Sequence, residues 1–84
     1  MRLSLNNEQW QHLCCCSDTI SDFPATVGTF IQYFTERKDL GNFNIAHDPI
    51  SQKFGVWYSD ELKKFEAKEL IDAMFNLFCH LEGV

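Results

Sequence analysis

At Gly41 the spacing of apolar residues changes from helical to extended, and near Leu70 it changes back. Before Gly41, Val27, Phe30, Ile31 and Phe34 recur every three or four residues, the period of one helix face. After it, Phe43, Ile45 and His47 alternate with Asn42, Asn44 and Ala46, and Phe54, Val56 and Tyr58 alternate with Gly55, Trp57 and Ser59, which is the period of a strand. A segment patterned for one period does not bury its apolar side in the other structure. The chain is thereby restricted to helices flanking a small sheet, an α+β class. Its 84 residues leave room for one core, so residues 1–84 are expected to form a single domain, and eight Phe, two Trp and two Tyr supply large side chains to fill it.

Local signals place the elements. Asn6 can cap the N–H of Gln9 while the Gln9 side chain reaches back, and Leu5 can staple onto Trp10, so a first helix begins there with Trp10, Leu13 and Cys14 as its inner face and ends between Cys16 and Thr19. Ser21-Asp22-Phe23-Pro24 offers a cap and a first-turn proline for a second helix. Its stripe is Val27, Phe30, Ile31 and Phe34, its polar face Thr29, Gln32 and Glu36, its last turn Arg37-Lys38, and its stop Gly41. Asp48-Pro49-Ile50-Ser51-Gln52 carries turn chemistry, so the two strands form an antiparallel hairpin with Phe43, Ile45, Val56 and Tyr58 toward the helices. Leu70, Ile71, Met74, Leu77, Phe78 and Leu81 share a helical stripe from which Leu62 and Phe65 depart. This predicts a short third strand near Leu62–Glu66 and a last helix from about Ala67 to Leu81 or Glu82, closed by Gly83. The order is α-α-β-β-β-α.

Composition excludes several functions. Twelve acids against seven bases give a net charge of −5, and the bases are scattered, so the clustered cations that neutralise a phosphate backbone are missing and direct nucleic-acid binding is not expected. Three of the four cysteines are consecutive, Cys14-Cys15-Cys16, which is no disulfide framework. Met-Arg-Leu-Ser-Leu-Asn-Asn lacks the apolar run of an export signal and no run is long enough to span a bilayer. Four thiols, a cytoplasmic location and no membrane partner follow as expectations.

Candidate chemistry is sparse. His12 with Cys16, Cys79 with His80, and His47 provide zinc-type ligands, but there is no paired-cysteine spacing, adjacent residues diverge on a helix, and no metal or other cofactor is predicted. Cys15 is the most exposed thiol on its helical wheel yet lies mid-helix without a cation to lower its pKa. His47-Asp48 reads as turn capping rather than a base with its orienting acid, and the four glycines are isolated, so no phosphate loop exists. No catalytic residue is assigned, and the chain is not expected to be an enzyme.

Apolar surface is the more informative feature. On the last helix Phe75 and Cys79 widen the apolar arc to about 200°, beyond the roughly 100–160° that one-sided packing needs. Either the sheet and the first two helices cover it from both sides, or a partner does. Trp57 faces away from Val56 and Tyr58, where it is a binding anchor unless Lys64 lies over it. Glu66, Glu69 and Asp72 interleave with lysines as a solvated acidic face or a patch for a basic partner. Trp57, Phe75, Cys79, Glu66, Glu69 and Asp72 are therefore the candidate protein-binding residues. The function expected is an acidic protein-binding inhibitor or regulator, of the type that phages and mobile elements encode, acting on a basic nucleic-acid-handling protein or as a homodimeric adaptor. A winged-helix transcriptional regulator is the alternative, weakened by a second helix with no base on its solvent face, and a metal- or thiol-dependent enzyme comes third.

Overall fold

The computed structural model describes residues 2–16, 24–37, 39–61 and 63–83, apart from the side chain of Cys16. The elements follow the expected order: α1 (Asn7–Cys16), α2 (Val27–Glu36), β1 (Phe43–Asp48), β2 (Lys53–Tyr58), β3 (Phe65–Ala67) and α3 (Leu70–Glu82). The strands form one antiparallel sheet in the order β1-β2-β3, with Ile45 opposite Val56 and Val56 opposite Phe65. Short connections between successive strands produce this order, because each new strand pairs with the free side of the last.

The inner side of β2 and β3 lies on α3, and α2 packs beside α3. Val56, Tyr58, Leu70, Ile71, Ala73, Met74, Leu77, Phe78, Phe30, Phe34 and Leu13 form the core. Phe30 and Tyr33 of α2 each meet Phe78 edge to face, and Phe34 stacks on Phe43 at 4.7 Å between ring centres. The Tyr58 hydroxyl donates to the Phe34 carbonyl at 2.7 Å, so the one polar atom of that buried ring is satisfied. The wide apolar arc of α3 is thus largely occupied from within the chain, by the sheet on one side and the helices on the other.

Several expectations shift. The Asn6–Gln9 capping box forms, at 2.8 and 3.0 Å. The face of α1 that meets the body, however, is Gln9, His12 and Leu13, one position back from Trp10, Leu13 and Cys14. Gln9 turns inward because its side chain also bonds Arg2 and Asp72 at 2.9 and 2.6 Å, and this leaves Trp10 and Cys14 exposed. The second helix starts at Val27 with Thr26 and Thr29 as a capping box, not around Pro24. The cause is a bridge between Ser4 and Thr26, flanked by bonds from Leu5 N–H to Ala25 and from Val27 N–H to Leu3, which holds the chain extended up to Thr26. Ser21, Asp22 and Phe23 lie outside the described residues.

The same helix ends at Glu36, before Arg37 of the predicted last turn, whose Lys38 lies outside the described residues. Arg37 swings out to an extended conformation and bonds Asp39, the Tyr33 hydroxyl and Glu82, tying α2 to the end of α3. Ile31, expected in the inner stripe, is exposed, and Tyr33 takes its place against Phe34 and Phe78. Gly41 does adopt a positive φ of 90°, but in the turn into β1, where an added Cβ would sit 2.2 Å from the Ser59 hydroxyl. The third strand lies at Phe65–Ala67, somewhat later than predicted, with Leu62 outside the described residues. Gly83 closes α3 in the left-handed region at φ 73°.

Candidate functional site

The six candidate residues do not converge. Trp57 lies on the outer side of the sheet, half-buried, with the Lys64 ammonium 4.9 Å above its ring. Gly55 makes this possible, because a Cβ there would meet Lys64 Cε at 2.5 Å. Glu66 pairs with the same lysine at 3.5 Å. Phe75 is half-buried at the junction with α1, edge-on to His12 at 5.8 Å. Cys79 is half-buried against the core on α3 and, like Cys14 and Cys15, is a thiol.

Glu69 and Asp72 are engaged by the N-terminal segment. Glu69 accepts from the Arg2 backbone N–H at 2.8 Å, and the Arg2 guanidinium bonds both Asp72 oxygens, at 3.0 and 3.2 Å. These two acids hold the chain's own first residues to the start of α3, which removes them from the free negative surface. Among the described residues, no three His, Cys, Asp or Glu side chains form a group that could hold a metal ion. Asp48 accepts from the Ile50 N–H at 2.9 Å as a turn cap, and that bond holds its carboxyl below the usual range.

The surface that stands out is the open edge of β1. Ile45 and Val56 are cross-strand partners on the same side of the sheet, yet Val56 is fully buried while Ile45 is 42% exposed. The difference arises because α3 runs beneath β2 and β3, while α2 meets β1 at Phe43, two residues before Ile45. His47, beyond Ile45, is exposed and keeps its ring 4.6 Å from Phe54.

Backbone phase adds to this. The Ser59 N–H donates to the Asn42 carbonyl at 3.0 Å, so Asn42–Ser59 is a hydrogen-bonded pair. By antiparallel alternation the Asn44–Trp57 and Ala46–Gly55 pairs are bonded too, and the N–H and C=O groups of Phe43, Ile45 and His47 point to the open edge. Proteins usually blunt such an edge with lysine, proline, a bulge or short length. The opposite edge, β3, is three residues long and flanked by Lys63, Lys64 and Lys68, whereas β1 runs for six residues without lysine or proline until Pro49 in the turn that follows it. At one end of β1 lies a cavity of about 470 Å³ lined by Phe34, Thr35, Gly41, Asn42 and Phe43. At the other end the hairpin turn carries Ile50, 94% exposed.

Ile45 and Ile50 were not among the sequence candidates. Sequential pairing of three strands already makes β1 an edge, and its lack of lysine is visible in the sequence. That α3 would lie beneath β2 and β3 and leave Ile45 uncovered is a matter of packing. Comparison with protein-family models, with curated proteins and with solved structures gave no match. Among the described residues no helix is long and apolar enough to cross a membrane.

Proposed function

We propose that this chain is a small acidic protein-binding module, a regulator or inhibitor that acts by occupying a polypeptide partner rather than by catalysis, with the β1 edge as its recognition surface. The observation that carries the reading is the 42% exposure of Ile45 on an unblunted edge strand whose neighbour Val56 is fully buried. An added strand would take the outward backbone groups of Phe43, Ile45 and His47 and cover Ile45 in the same step, the mode in which main-chain bonds give affinity and alternate side chains give specificity.

The charge of −5 favours encounter with a basic protein, such as one that handles nucleic acid, by long-range attraction. Thiols at Cys14, Cys15 and Cys79 fit a reducing, cytoplasmic setting. Regulators encoded by phages and mobile elements are the analogy for such a chain. A photo-crosslinking amino acid placed at position 45, with position 75 as comparison, tests the reading in lysate of the source cell. A protein adduct formed from position 45 and reduced by Ile45→Lys in an untagged competitor supports it. Adducts from position 75 alone would move the binding surface to the α1–α3 junction.

A further inference from the structure

We propose that the occupant of the β1 edge is β1 of a second copy, paired antiparallel about Ile45, so that two three-stranded sheets join into one. This rests on the reading of that edge as a recognition surface and puts a second copy there in place of a basic protein.

Hydrogen-bond phase permits the pairing. Phe43, Ile45 and His47 all direct their backbone groups outward, and in a two-fold register Ile45 meets Ile45 of the other copy while Phe43 meets His47, so every outward group finds a complement. Side chains agree with that register. On the inner side the Ile45 pair closes over itself, flanked by two Phe43–His47 pairs. On the outer side Asn44 meets Ala46 and Asn42 meets Asp48. Asp48 is the only carboxylate in the strand and it faces an amide, so no like charges are opposed.

The ends of the strand are complementary as well. Continuing the register places the Pro49-Ile50 turn of one copy beside Gly41 and Leu40 of the other. A turn bearing an isoleucine that is 94% exposed is thereby brought to a cavity of about 470 Å³ lined by Phe34, Thr35, Gly41, Asn42 and Phe43. Two-fold symmetry makes this contact twice, once at each end of the joined strands, which is the self-complementary arrangement expected of a closed dimer. A hairpin knob at one end of β1 and a cavity at the other suit a second copy better than an unrelated strand.

The net charge of −5 on each copy opposes association at long range, and salt screens it over about 8 Å at physiological ionic strength. The dimer should therefore tighten as salt is added, whereas a complex with a basic partner weakens. Light scattering and sedimentation of the full chain across protein and salt concentration test the proposal. The expected result is a dimer that strengthens with salt, is lost in Ile45→Lys, and has its dissociation constant raised about tenfold or more by Ile50→Asp.

Because Ile45 is partly exposed, Ile45→Lys should keep a cooperative thermal transition. If it does not fold, amide exchange of the wild type decides: the Phe43, Ile45 and His47 amides should be protected at high concentration and exchange on dilution. A wild type still monomeric at about 1 mM, or a dimer indifferent to Ile45→Lys in a folded variant, overturns self-pairing. A monomer that crosslinks a different protein from position 45 overturns self-pairing alone. A monomer with no adduct from position 45 overturns the edge reading as well.

Discussion

Single side chains in this protein are fixed by where a polar atom or a missing Cβ has to go. Tyr33 and Tyr58, the chain's two tyrosines, are both pushed up to about 12 by burial, and in Tyr33 the bond to Glu82 adds to the effect. Each proton is held more tightly in the folded chain than in the unfolded one, where the ordinary value is 10.0. Their contribution to stability is therefore complete below pH 10 and falls as pH rises toward about 12. Ultraviolet titration of tyrosinate should show both rings ionising later in the native protein than in denaturant, with unfolding accompanying the change. A native curve that overlays the denatured one would contradict the burial of these hydroxyls. Gly41→Ala combines a positive φ with a contact on Ser59, whose hydroxyl accepts from the Asn42 N–H, and should cost about 2 kcal/mol or more. Gly55→Ala displaces only the flexible end of Lys64, so it should cost about 1 kcal/mol or less while changing Trp57 fluorescence. Chemical denaturation of the two variants ranks them.

Among the helices, α1 places the fewest described side chains in the core. Among its described side chains one, Leu13, is fully buried in the core, against six buried residues on α3. Its attachment also runs through Gln9, which bonds Asn6, Arg2 and Asp72, and through the His12–Phe75 contact. Gln9→Ala removes the side-chain half of the capping box and the link to α3 together and should cost about 1–2 kcal/mol. In hydrogen exchange the α1 amides should then open faster while those of α3 and β2 keep their protection. Phe75→Glu should also release α1 and leave α3 seated on the sheet, since Leu70, Ile71, Met74, Leu77 and Phe78 supply that contact. Uniform loss of protection across all three helices would show instead that α1 folds as one unit with the core. The Asn6–Gln9 box was legible in the sequence because a cap is a local spacing. The inward turn of Gln9 was not, because it depends on Asp72, far away along the chain.

For the whole molecule, charge and surface shape decide what can be bound. A net charge of −5, with no lysine or arginine within α2, argues against binding to a phosphate backbone. Gel-shift titration with duplex DNA at physiological salt is expected to show no binding, and sub-micromolar retardation would restore the winged-helix alternative. Of the candidate binding residues, Trp57 and Glu66 lie on the outer sheet under or beside Lys64, Phe75 at the α1 junction, Cys79 against the core, and Glu69 and Asp72 beneath Arg2. Each is a surplus apolar or acidic group when its own element is considered alone. Another part of the chain absorbs most of that surplus.

The sequence by itself determined the class and order of the elements, the hairpin, the Gly83 stop and the excess of acid. All of these follow from interactions between residues close in the chain or from simple addition of charge. Only the tertiary structure decided which apolar residues stay at the surface. The period-two pattern assigns Ile45 and Val56 to the same side of the sheet, but α3 lies under β2 and β3 and not under β1, so one is sealed and the other left open. Alternation along a strand selects a face, whereas burial depends on what is packed against that face, and a helix seated on three strands need not cover all of them.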